Sequence, residues 1–124
     1  MKITLERNPA EQIAAGALIV PVFEDEKESR FGAAPLVESG EVAGKAAEFA
    51  LLHNPAGMAA ARVLLAGGGR AERFDAAELR KLVAASVRFL KKKKVLSAAV
   101  LLEGNRTGAE YASAAVEGAI LGDF

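Results

Sequence analysis

Arg62-Val63-Leu64-Leu65-Ala66-Gly67-Gly68-Gly69, then Asp75 to Lys94, then Val95 to Leu102, is the stretch on which the fold turns. Its first part reads as a short apolar strand running into a glycine turn. Asp75 stands where a helix N-cap would, and Glu78 three residues on completes a capping-box pair. Leu79, Leu82, Val83, Ser86, Val87 and Leu90 then recur at spacings of three and four, which makes one apolar stripe on a helix. Arg80, Lys81, Arg88 and Lys91 fall off that stripe. Lys91-Lys92-Lys93-Lys94 closes the helix, where cations suit the negative end of its dipole. Val95 to Leu102 is again continuously apolar, as a buried strand is. Strand, helix, strand in this order predicts two parallel strands joined by a right-handed crossover.

Working outward, Ile3 and Leu5 alternate with Lys2, Thr4 and Glu6, the period of a half-buried strand. Ala17 to Phe23 is a β-branched apolar run and a second strand. Pro21 inside it has no N–H for a ladder, which predicts an edge strand or a bulge. Glu24-Asp25-Glu26 ends it, and Phe31 to Pro35 reads as loop. Leu36 to Lys45 has the pattern of a short helix interrupted by Gly40 and Gly44. Glu48 to His53 is another strand, stopped by Asn54-Pro55-Ala56-Gly57, and its short link to Arg62 predicts a hairpin. Thr107 with Glu110 forms a second capping box, opening a last helix with Tyr111, Ala112, Ala115, Val116, Ala119 and Ile120 inward and Gly122 at its end. The whole reads as a single α/β domain, residues 1–124, with a mixed β-sheet and helices packed on it.

Composition narrows the function. The chain is 52% hydrophobic and 26% charged, which excludes disorder as its main state. Sixteen basic and sixteen acidic residues give zero net charge, which argues against a dedicated nucleic-acid or membrane-surface protein. With no Cys and one His, thiol chemistry, disulfides and the usual zinc sites are excluded. No apolar run is long enough to span a bilayer, and the N-terminus lacks a signal-peptide pattern. The expected compartment is the cytoplasm.

Few positions are candidates for chemistry. Gly67, Gly68, Gly69 and Arg70 lie between a strand and a helix, where backbone N–H groups can cradle an anion. The turn lacks the Gly-Lys-Ser/Thr ending of a P-loop and the G-x-G-x-x-G spacing of a dinucleotide site. Glu72 and Asp75 beside it would repel phosphate. The preferred reading is a tight turn that needs permissive backbone angles. Lys91 to Lys94 reads as a solvated helix end, His53 as a surface or structural histidine, and Tyr111 as core or interface. Glu24, Asp25, Glu26 and Glu28 read as a solvated loop, lacking the spacing of a calcium loop. No catalytic residue, cofactor-binding residue or metal ligand is assigned.

Several of these segments, in order, resemble the N-terminal domain of the leucyl (cytosol) aminopeptidases. Arg62 to Asp75 is similar to that family's "RVLLVGLGK…FD", Ala17 to Asp25 to its "ALVVGVFED", and Ala114 to Gly122 to its "…AEGALLG.Y". Ala76 to Lys81, Leu90 to Lys92 and Ser97 to Val100 are similar to it as well. The Gly32–Lys45 segment looks shorter than the family's, and Phe124 falls about where its linker to the catalytic domain begins. The resemblance implies a macro-domain-like three-layer sandwich that is non-catalytic. It implies a parent enzyme that removes N-terminal residues from peptides with two divalent metal ions, zinc or manganese, in a homo-oligomer. The partners implied are its own catalytic domain and like subunits. The family's Asn-Thr-Asp-Ala-Glu-Gly-Arg signature does not occur here, so none of its metal ligands or catalytic residues transfers to this chain. The alternative is a macro-like module binding ADP-ribose or a related nucleotide at Gly67–Arg70.

Overall fold

In a computed structural model describing residues 1–124, the apolar runs become five strands: β1 (Lys2–Glu6), β2 (Leu18–Val22), β3 (Phe49–His53), β4 (Arg62–Gly67) and β5 (Ser97–Leu101). The helices are α1 (Ala34–Glu38), α2 (Ala76–Lys92) and α3 (Ala109–Asp123). The sheet order is β1-β5-β2-β4-β3. β4 and β5, joined through α2, both run parallel to β2, and β1 runs parallel to β5. β3 pairs antiparallel with β4, the predicted hairpin. The sheet is therefore mixed, as expected.

Side-chain alternation divides the core between the two faces of the sheet. Ile19, Leu64, Ala98 and Val100 meet Leu79, Val83, Val87 and Leu90 of α2 and Ala115 and Ala119 of α3. Leu18, Val20, Leu65, Ala99 and Leu101 point the other way, toward Ala10, Ile13, Leu36, Val37 and Val42. The first face carries two long helices. The second carries only α1, a 3-10 turn (Ala10–Gln12) and loops.

Pro21 lies in the central strand and not at an edge. Ala17 exchanges hydrogen bonds with Ser97 and Ala99 of β5, so by alternation Pro21 faces β5 too. The β2–β5 ladder covers only Leu18 and Ile19. It has ended before Pro21, so no partner there requires an N–H.

The ends of α2 follow the predicted chemistry in part. The Asp75 carboxylate accepts from the Glu78 N–H at 2.9 Å, but Glu78 turns to Lys81 rather than back to Asp75. At the other end Lys94 takes φ +60°. Its N–H donates to Lys91 O and the Val95 N–H donates to Leu90 O. Val95 is buried, so this is a Schellman stop with a lysine in the left-handed position that favours glycine. Lys94→Gly is expected to raise stability by about 1 kcal/mol by relieving that strain. A urea melt showing a loss instead would contradict this origin.

Four other expectations require correction. The short helix is Ala34–Glu38 and ends before Gly40, which takes φ +83°. Thr107 does not cap α3: Gly108 is the N-cap, no side chain accepts there, and the Thr107 carbonyl instead accepts from the Arg7 guanidinium at 2.9 Å. α3 is also rotated from its predicted face. Ala114, Ala115, Gly118, Ala119 and Gly122 are buried, while Val116 and Ile120 are exposed. Gly122 does not end the helix. It lies inside α3 against α2, where a Cβ would stand 2.6 Å from Ala84 O.

Candidate functional site

The glycine turn after β4 is formed by close approach. The Gly67 N–H donates to Glu48 O, the Gly68 N–H to Val22 O and the Gly69 N–H to Gly44 O. The Ala71 N–H donates to a carboxylate oxygen of Asp25 at 2.9 Å. That hydrogen bond holds the Asp25 carboxyl below its usual pKa. Arg70 is exposed and pairs with Glu72. Of the amides an anion would use at Gly67–Arg70, those of Gly67, Gly68 and Gly69 are thus already engaged by backbone carbonyls. Gly69 takes φ +81°, and a Cβ on Gly68 would meet the rings of Phe23 and Phe74.

A crevice of about 350 Å³ opens at the carboxyl ends of β2 and β5. Chain topology creates it. After β2 the chain turns to α1 on one face, and after β5 it turns to α3 on the other. Adjacent parallel strands whose connections leave in opposite directions part at their ends, and ligands of open α/β sheets bind in such gaps. The apolar floor is Pro21, Val22, Leu79 and Leu101.

Two arginines form its walls. Arg30 donates to both carboxylate oxygens of Glu28 and both of Glu103, at 2.7 to 3.0 Å. Burial would raise the Glu28 pKa, and the Arg30 hydrogen bonds overcome this and leave it lowered. The Arg30 pKa is raised in turn, first by its bonds to Glu28 and then by those to Glu103. Arg106 sits over aromatic rings, its guanidinium carbon 4.3 Å from the Phe23 centroid and 5.6 Å from that of Phe74. Those two rings meet edge to face at 4.9 Å.

Sequence reading did not single out Arg30, Glu103 or Arg106, and it placed Glu28 in a solvated loop. Glu28 is instead largely covered, with 11% of its side chain exposed. The signal was limited to charged residues in the loops after two apolar strands. Their meeting depends on β2 and β5 being neighbours. The other candidates stay apart. His53 is exposed at the end of β3, opposite Arg62. Lys91 reaches the Asp123 carboxylate and carbonyl. Tyr111 is half-buried beside the α2–α3 core.

A second surface is apolar. Met1, with Ile3 and Leu5 of β1, and Val116, Ala119 and Ile120 of α3, with Phe124 just beyond it, line a shallow hollow of about 430 Å³. Leu121 and Leu96 are exposed as well. Nowhere do three His, Asp or Glu side chains converge to hold a metal ion, so the residues of this chain do not fit the two divalent ions that the resemblance implies. No helix is long and apolar enough to cross a membrane.

The sequence of this chain matches a known family from residue 19 onward and one known protein throughout. The profile of the cytosol aminopeptidase family, N-terminal domain, covers residues 19–124. A probable cytosol aminopeptidase of Solibacter usitatus is 57% identical over 124 residues, all of this chain and 26% of that protein. One of Koribacter versatilis is 47% identical over 77 residues, 62% of this chain and 15% of the relative. One of Acidobacterium capsulatum is 37% identical over 67 residues, 54% of this chain and 13% of the relative. The chain thus spans about a quarter or less of the length of these relatives. The matched span includes the switch-point crevice, the glycine turn and both long helices, and it is on that span that this chain belongs to the cytosol aminopeptidase family, as its N-terminal domain.

Proposed function

We propose that this chain is the non-catalytic N-terminal domain of a metal-dependent aminopeptidase that releases N-terminal amino acids from peptides in the cytoplasm. In this reading it supports oligomer assembly and shapes access to an active site built elsewhere. The observation that carries it is the 57% identity over the full chain to a quarter of a probable cytosol aminopeptidase. Two metal ions would polarise a peptide carbonyl and activate water in the parent enzyme, on residues outside these 124.

The face formed by β1 and α3 supports a packing role. Ile120 is 64% exposed, Leu121 54% and Phe124 fully exposed. A contiguous apolar surface of this kind on a small domain marks an interaction site. The occupant proposed is the catalytic part of the same enzyme, which makes up most of the relatives' length.

Two measurements test this. The purified 124-residue protein with zinc or manganese is expected to leave leucine p-nitroanilide intact, and sustained hydrolysis would overturn the reading. Grafted in place of the matching segment of an active relative, the chain is expected to retain peptidase activity and oligomeric state. Ile120→Lys in that chimera is expected to weaken assembly on size-exclusion chromatography. An unchanged elution profile would remove the β1–α3 face from the interface.

A further inference from the structure

The crevice between β2 and β5 holds one charge pair that is loosely made. Glu28, Arg30 and Glu103 satisfy one another at hydrogen-bond distance. Arg106 does not join them. Its guanidinium donates no hydrogen bond, and its nearest carboxylate oxygen, on Glu26, is 3.9 Å away. Only 21% of the Arg106 side chain is exposed. A guanidinium packed against two rings is held in place while its N–H groups stay free to donate. The N–H groups of Glu103, Gly104 and Asn105, in the same loop, also lack a partner within the protein.

We infer that this crevice binds a free α-amino acid with an aliphatic side chain. Its carboxylate is received by Arg106 and the amides of Glu103 and Gly104. Its ammonium is received by Glu26, and its side chain lies on Pro21, Val22, Leu79 and Leu101. The charges point to this class. Arg106 and Glu26 are paired only loosely, at 3.9 Å, beside an apolar floor, with Lys27 also lining the crevice; a zwitterion can engage both members of the loose pair, where a simple anion engages only one. A zwitterion can enter between them because Glu26, 57% exposed, can swing into solvent while Arg106 is held by its rings. The volume is at the small end of the ~300–1,000 Å³ typical of ligand pockets, which suits an amino acid and not a dinucleotide. The same class is the product of the reaction proposed above, but the inference rests on the crevice alone. It is tested by binding without turnover, so the peptidase result does not bear on it.

The experiment is a titration of the 124-residue protein with L-leucine, followed by amide chemical shifts and calorimetry. Saturable binding is expected, with shifts at Phe23, Glu26 and residues 103–106. 4-Methylpentanoate, which lacks the ammonium, and isoamylamine, which lacks the carboxylate, are each expected to bind at least about tenfold more weakly, since each loses a charged hydrogen bond. Glu26→Gln, at an exposed position, is expected to weaken leucine about tenfold while leaving the melting temperature unchanged. Arg106→Gln is expected to abolish binding. Should that variant unfold through loss of its packing on Phe23 and Phe74, Glu26→Gln and the two analogues decide. No saturable binding of leucine at millimolar concentration overturns the inference. So does binding that Glu26→Gln leaves intact, or an equal affinity for 4-methylpentanoate.

Discussion

Gly118→Leu is expected to destabilise the domain by about 3 kcal/mol or more, and so to lower the melting temperature by roughly 10–20 °C. The cause is the closeness of α3 to α2. A Cβ at Gly118 would stand 2.4 Å from Arg80 O and 3.0 Å from the Val83 Cβ. One turn on, a Cβ at Gly122 would stand 2.6 Å from Ala84 O and 2.8 Å from the Val87 Cβ. Backbone oxygen cannot rotate aside as a side-chain tip can, so the helices must part. Parting them would also uncover Val83 and Val87, both fully buried, at ~1.5–3 kcal/mol per side chain fully exposed. Gly108→Ala is the control. Its Cβ meets no atom within 4 Å and its φ is −71°, so it is expected to shift the melt by only a few degrees. Equal melts for the two variants would show that α3 does not pack through its glycines.

This contact marks where sequence reading stops. α2 was legible because its large side chains are its buried ones: Leu79, Leu82, Val83, Val87 and Leu90 repeat at helical spacing. α3 inverts the relation. Its buried positions are Ala114, Ala115, Gly118, Ala119 and Gly122, and its exposed ones include Val116, Ile120 and Leu121. A hydrophobic period assigns the larger side chains inward, and so points to the wrong face. Gly122 misleads for the same reason, since a glycine near a helix end reads as a stop when its role is close approach. The apolar strands were legible one by one, and β3 with β4 as a hairpin, because those are local properties. That β2 lies between β5 and β4 is a long-range property. The crevice follows from that order and so was not visible, although Glu26, Glu28, Arg30, Glu103 and Arg106 all stand in loops that directly follow apolar strands.

Gly67→Ala is expected to cost about 3–4 kcal/mol, from overpacking together with the loss of one or two backbone hydrogen bonds. Gly67 is the last residue of β4 and is buried. The segment before β3 folds directly over it. The Gly67 N–H donates to Glu48 O at 2.7 Å, and its carbonyl accepts from the Ala47 N–H at 3.2 Å. A Cβ there would overlap Lys45 O, leaving 1.8 Å between them, so the 45–48 segment must lift and both bonds are strained. The damage should stay on the β3 side of the sheet. Phe23 and Phe74, which carry Arg106, are fixed by Gly68 rather than by Gly67, since a Cβ at Gly68 would lie 2.7 Å from the Phe23 ring. Two outcomes therefore separate in one protein. Gly67→Ala is expected to speed amide exchange in β3 and lower the melting temperature, and at temperatures where it is still folded to leave the 103–106 amide shifts in place. Gly68→Ala is expected to move those shifts. If Gly67→Ala moves them equally, the turn and the crevice form one mechanical unit, and the glycines hold the ligand site as well as the strand end.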